Sequence, residues 1–365
     1  MKIRRWFIFG FISMLIYTGC GYKQASFNVG ELYHDIYEEA SQFHTIGQLD
    51  IIQKIVNRLG ENGLTAVDLE NQNQVNMTHP ERLEEFCALV ENGQAGEVEF
   101  YSVTNEYGLI RYHLTTKQSA VEVERTVFAW DQNKLEITDE DHYPAHQWTY
   151  SDGYLFFEKK QPAGYDGAVG YSAFRIEPLD ETCRAMNRSY IQPIGYAANE
   201  MFLKDFTEND FNALDFSDLF NRLYPYVYMR SNPYQQEFDQ QEYLVAAEEF
   251  EKVITSYFKI DLNTLREQVA YRDDGYVIQT RGFDNAGYSP HSVYPEVVSY
   301  TEHEDGTLTL TVQVVWPYKH LASAMTHEVV VRPMQNGTFQ YVSNHVIRSK
   351  DSVEPTWYSD DEAPF

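Results

Sequence analysis

Residues able to do chemistry are scattered along this sequence and form no recognised catalytic motif. His142-Tyr143-Pro144-Ala145-His146, preceded by Asp139, Glu140 and Asp141, is the nearest approach to a metal-ligand set. Histidines at this spacing share a face only on a helix, and Pro144 opposes one. A solvated loop with at most weak affinity for divalent cations is the expectation. The sequence contains no Walker loop, GxGxxG, HExxH, GxSxG or EF-hand loop, so no cofactor is expected. Asp and Glu number 55, and carboxylate pairs are therefore everywhere. A glycosidase acid and base must face each other across about 5–9 Å of cleft, and sequence alone selects no such pair.

Two other groupings suit binding better than catalysis. Tyr224, Tyr226, Tyr228 and Tyr234 are interleaved with Pro225 and Pro233, and the prolines argue against a long helix. Tyrosine rings offer a flat apolar face and a hydroxyl for a sugar, a peptide or a protein. Alternatively, the rings fill a seam between two domains. Arg175, Arg184 and Arg188 form a basic cluster in an acidic chain. Arg184 and Arg188 could hold an anionic group through paired hydrogen bonds. Otherwise the cluster pairs with Glu177, Asp180 and Glu181 and holds the two domains in register.

The start of the chain is more specific. Met1-Lys2-Ile3-Arg4-Arg5 is basic, and Trp6 to Tyr17 is apolar but shorter than the roughly 20 residues a spanning helix needs. The run ends at Tyr17-Thr18-Gly19-Cys20. Small residues directly before a cysteine resemble the lipobox of bacterial lipoproteins. The resemblance implies cleavage after residue 19, diacylglyceryl attachment at Cys20 and a lipid-anchored, extracytoplasmic protein. Cys87 and Cys183 remain. Cys87 falls on a helical apolar stripe and reads as a core residue, with a Cys87–Cys183 bridge as the alternative.

The positioning elements follow from periodicity. Residues 20–27 form a polar tether. Leu32 to Phe43 and Leu49 to Leu59 carry helical stripes, the second capped at Gly60. Thr78 and Glu81 make a capping box for a third helix through Leu83, Phe86, Cys87 and Val90. Strand-like runs occupy 97–176, including a hairpin at Asp152-Gly153. The Asn/Asp-rich stretch from Thr207 marks a boundary. Beyond it, Tyr243 to Tyr257 reads as one long helix, followed by a shorter helix and an antiparallel meander. This order predicts an α+β fold of two domains, 28–205 and 206–347, with an acidic disordered tail at 348–365. The element order of 240–347 resembles NTF2-like and cystatin-like cones.

Val56-Asn57-Arg58-Leu59-Gly60, Arg188 to Tyr196 and Val314-Val315-Trp316-Pro317 give the body a resemblance to an uncharacterised family of Gram-positive surface lipoproteins. That resemblance implies no activity. A formal charge of −27 over 365 residues repels phosphate backbones, so nucleic acid is excluded as a partner. The expected role is non-catalytic binding at the membrane surface, with an envelope protein, peptide or glycan as partner. An envelope hydrolase using acidic residues, or a small-molecule pocket in an NTF2-like cone, are the alternatives.

Overall fold

The computed structural model describes residues 29–42, 47–165, 170–234, 242–279 and 293–355. Cys20, the leader and the tether lie outside the described residues, as does the tail from residue 356.

Helices α1 (His34–Gln42) and α2 (Leu49–Glu61) come first, then strand β1 (Ala66–Asp68) and helix α3 (Glu81–Glu91). Ile52, Ile55, Val56 and Leu59 bury one stripe of α2, and Leu83, Phe86, Cys87 and Val90 one stripe of α3, at the spacing the sequence predicts. Neither helix end is as expected. The α2 helix runs past Gly60 to Glu61, where Gly60 packs against Thr78. The Thr78 hydroxyl donates to the Leu64 carbonyl and accepts from the Ala66 amide, each at 2.9 Å, so it braces β1 while Pro80 starts α3.

Strands β2 (Gly96–Val103), β3 (Leu109–Lys117), β4 (Ala120–Asp131) and β5 (Lys134–Pro144) form an antiparallel meander, with β1 added in parallel to β2. His142 sits on β5, opposite Glu124, and not in a loop. Pro144 is tolerated because β5 is an edge strand whose outer N–H groups have no ladder partner.

Strands β6 (Gln147–Ser151), β7 (Tyr154–Glu158) and β8 (Tyr171–Arg175) make a separate sheet, its hairpin turned by Asp152 (φ 50°) and Gly153 (φ 74°) as predicted. This small sheet is a middle layer. Leu155, Phe157 and Phe174 face the first sheet and α3, whereas Tyr154, Phe156 and Ala173 face Val315 and Ala322 on the other side. Strand alternation sends successive side chains into two different cores.

The rest of the chain comprises α4 (Glu181–Met186), β9 (Phe206–Thr207), α5 (Phe216–Tyr228), β10 (Glu242–Ala246), α6 (Ala247–Tyr257), α7 (Leu262–Gln268), β11 (Tyr271–Arg272) and β12 (Gly275–Gln279). The final meander is β13 (Tyr294–Glu302), β14 (Leu308–Trp316), β15 (Leu321–Pro333) and β16 (Phe339–Ile347). Strand orders are β10-β12-β11 and β13-β14-β15-β16-β9. The fold is α+β.

Four expectations change here. Pro225 lies inside α5: it falls in the last turn, and burial of Leu219, Phe220, Leu223 and Tyr224 holds the helix despite the missing bond. Tyr243 belongs to β10, paired with Ile278, so the long helix is a strand followed by α6. Finally, Leu179, Cys183, Ile191, Ile194 and Phe202 share one hydrophobic cluster with α5, α6 and the last sheet. The division between cores therefore falls near residue 177 and not at 205. The tail is also shorter than expected, because the Val353 amide bonds the Ala324 carbonyl at 2.7 Å and Arg348 meets Asp205 at 2.8 Å and Glu354 at 3.3 Å.

Cys87 and Cys183 are free, buried and in different clusters, so they form no bridge. Burial pushes the Cys87 thiol up to about 12, which suppresses the reactive thiolate. Native protein should therefore resist iodoacetamide at Cys87 and react there only after unfolding. Mass spectrometry of the alkylated protein checks this, and rapid native labelling of Cys87 would contradict its burial.

Candidate functional site

A sealed polar layer joins the middle sheet to the last one. Glu296 on β13, 3% exposed, accepts from Tyr154 Oη at 2.5 Å and from Arg175 Nη1 at 2.7 Å. The Arg175 Nε is also buried and has no partner among the described residues. Asn73 donates to Tyr294 Oη at 2.8 Å and accepts from the Arg175 amide at 2.7 Å. Arg184, 3% exposed, donates to the Asn73 carbonyl and to Asn76 Oδ1. Asp68 accepts from the Gln74 amide at 2.7 Å and from the Val75 amide at 3.3 Å. Burial pushes its carboxyl up to about 6, against the pull of those amides and of Arg184. The layer is a rivet between sheets, its acids committed to internal partners.

The arginine cluster is dispersed accordingly. Arg175 pairs with the distant Glu296, and Arg184 bonds Asn73 and Asn76 and also lies 3.9 Å from Glu181, one of its expected local acids. Asp180 caps α4 through the Thr182 and Cys183 amides. Arg188 lies in a single π-helical turn, Asn187–Ile191. No hydrogen bond or ring contact joins Arg184 or Arg188 to the tyrosine run among the described residues. Those tyrosines do not fill the seam between the two halves. Tyr224 and Tyr234 donate to the two oxygens of Glu249 on α6, at 2.9 and 2.6 Å, inside the C-terminal half. Tyr228 is half-buried under Lys252 and Arg230, and Tyr226 alone of the four is strongly exposed, at 51%. The expected aromatic platform is mostly packing. The described residues hold no group of three or more His, Cys, Asp or Glu able to bind a metal.

Two hollows remain. One of about 90 Å³, beside Asn199, Asp215 and Asp218, falls well short of the ~300 Å³ of ordinary ligand sites. The other, about 510 Å³, is an open groove between α3 and the outer edge of β2. Phe86 and Leu89 of α3 form its apolar wall, and Arg82 and Glu85 its rim. Glu97, Glu99 and Tyr101 of β2, with His113 of β3, form the other side. His113 lies 3.4 Å from Glu97 and 3.3 Å from Glu124, and Glu99 lies 3.9 Å from Arg111. Thr65, the residue before β1, also lines the groove; it is 1% exposed and its hydroxyl has no partner among the described residues. Sequence reasoning missed this site. The available signal was the alternation in Glu97-Val98-Glu99-Phe100, which marks a strand with an acidic outer face.

A family model described as a family of unknown function, DUF6070, matches residues 22–361. The chain belongs to that family. One family model thus spans both cores and the polar layer between them. No curated protein and no solved structure matches the chain.

Proposed function

We propose that this DUF6070 protein is a lipid-anchored, extracytoplasmic binding protein and that the groove beside β2 is its contact surface. The observation supporting contact there is the composition of the groove: an open strand edge with an apolar wall and an acidic side. The sealed acids of the polar layer do not reach it. The Thr18-Gly19-Cys20 pattern after a short apolar run supports the anchor. Two acyl chains hold a protein on a membrane far more firmly than one, which matters for a body that anionic lipid repels.

A photo-reactive residue in place of Glu85, carried by the protein in its own membranes, tests the contact surface. Adducts should form from position 85 and not from Met229, which is exposed at the end of α5 and does not line the groove. Adducts from 229 alone would move the surface elsewhere. For the anchor, fatty-acid label should enter wild type and be absent from Cys20→Ala, which should accumulate as uncut precursor. An unlabelled wild type starting at another residue would make the protein simply secreted.

A further inference from the structure

We propose that the open edge of β2 accepts an extended peptide of alternating basic and apolar residues as an added strand; this rests on the binding reading above and names its ligand class. The β1 strand pairs with β2 only at Tyr101, Ser102 and Val103. Its last bond toward the groove runs from the Tyr101 amide to the Thr65 carbonyl at 2.9 Å. Before Thr65 the chain turns away through Asn62, Gly63 (φ 79°) and Leu64 to the end of α2. Arg82 holds the Gly63 carbonyl at 2.8 Å. Residues 96–100 of β2 consequently have no strand on that side among the described residues.

Orientation follows from the ladder. The N–H and C=O of one strand residue point the same way, and the direction alternates along the chain. The Tyr101 amide points toward β1, so the backbone groups of Glu99 and Glu97 point into the groove. Those of Val98 and Phe100 point to β3, opposite Leu114 and Tyr112. The ladder to β3 thus uses Val98 and Phe100, and outside the strands no backbone group among the described residues bonds the Glu97 or Glu99 amide. These are the free donors and acceptors that strand addition uses.

Side-chain preference follows from what each face of a guest strand would meet. One face lies against Phe86 and Leu89, which favours apolar residues. The other lies along Glu97 and Glu99, on a sheet face continued by Glu122, Glu124 and Glu140. Arg111 and His113 lie on the same face, 3.9 Å from Glu99 and 3.4 Å from Glu97, but the carboxylates of Glu85, Glu97, Glu99, Glu122, Glu124 and Glu140 outnumber Arg82 and Arg111, so that face favours Lys or Arg.

Calorimetric titration of the intact protein in detergent with acetyl-Lys-Val-Lys-Val-Lys-amide tests this. Binding is expected, weakening with salt, and at least tenfold weaker or undetectable for the Glu-Val-Glu-Val-Glu counterpart. Two N-methylated versions, one at the valines and one at the lysines, separate strand addition from charge attraction. Only one set of guest amides faces β2, so one version should lose at least tenfold and the other should keep most affinity. Equal affinity of both versions would overturn strand addition. The exposed double substitution Glu97→Lys with Glu99→Lys should cost at least tenfold for the lysine peptide, and unchanged affinity would overturn the site. No binding of the lysine peptide would overturn the ligand class, while adducts from position 85 would leave the binding reading standing.

Discussion

Replacing Arg175 with alanine should destabilise the protein by roughly 3–5 kcal/mol, because it leaves the Glu296 carboxylate buried without its countercharge. Glu296 is 3% exposed and the ion pair is 2.7 Å long, so water cannot readily replace the lost guanidinium. Glu296→Ala should cost a similar amount by stranding Arg175. The loss is large against the ~5–15 kcal/mol that holds a typical protein folded. The paired replacement Arg175→Met with Glu296→Leu removes both charges and should recover most of it. Denaturant unfolding reads these values as shifts in midpoint at constant slope. A change below about 1 kcal/mol for Arg175→Ala would mean that the layer is not a sealed rivet.

The second large effect is a pair of opposed pH dependences. His327 on β15 is fully buried; it bonds Tyr196 Oη and Asn344 Oδ1, each at 2.6 Å, and burial pulls its ring down to about 4. An unfolded histidine takes its proton near 6.5. Folded stability should therefore fall as pH drops from about 6.5 to 4, by about 3 kcal/mol from this group. Asp68 works the other way. Its folded carboxyl keeps a proton up to about 6, while the unfolded one releases it near 3.9. Asp68 adds stability in acid and loses about 3 kcal/mol of it as pH rises from about 4 to 6. Relative to each other the two largely cancel in wild type. Removing one exposes the other: His327→Gln should give stability that falls with rising pH between 4 and 6, and Asp68→Asn stability that rises from 4 to 6.5. Parallel slopes in the two variants would contradict the burial of both groups.

Much of the architecture was legible because burial imposes a period. The stripes of α2 and α3 and the Asp152-Gly153 hairpin are local patterns set by local geometry. The misreadings arose where tertiary contacts override local preference. Tyr243 fits the stripe of α6 by spacing, yet pairing with Ile278 holds it in a strand. Pro225 discourages a helix, but the buried face of α5 outweighs one missing bond. The segment from Leu179 to Phe202 looked continuous with the strands before it, and only its packing against the last sheet assigns it to the second core.

The candidate site was harder to read for a related reason. Glu296 is one acid among 55, and its partner Arg175 lies far away in sequence. The groove depends on an interruption: β1 is too short to cover β2, and a strand's open edge has no residue signature. The tyrosines and arginines drew attention through chemistry that the fold consumes internally, Tyr224 and Tyr234 on Glu249 and Arg184 on Asn76.

Hydrogen exchange over residues 96–100, measured on the protein in its own membranes and again after purification, addresses the contact surface most directly. In the purified protein the Glu97 and Glu99 amides should exchange at nearly open-chain rates, while Val98 and Phe100, bonded to β3, exchange slowly. In the membranes, with the groove occupied, Glu97 and Glu99 should slow at least tenfold and Val98 and Phe100 should change little. Identical exchange in both settings, or protection of Glu97 and Glu99 already present in the purified protein, would contradict the assignment of this edge as the binding surface.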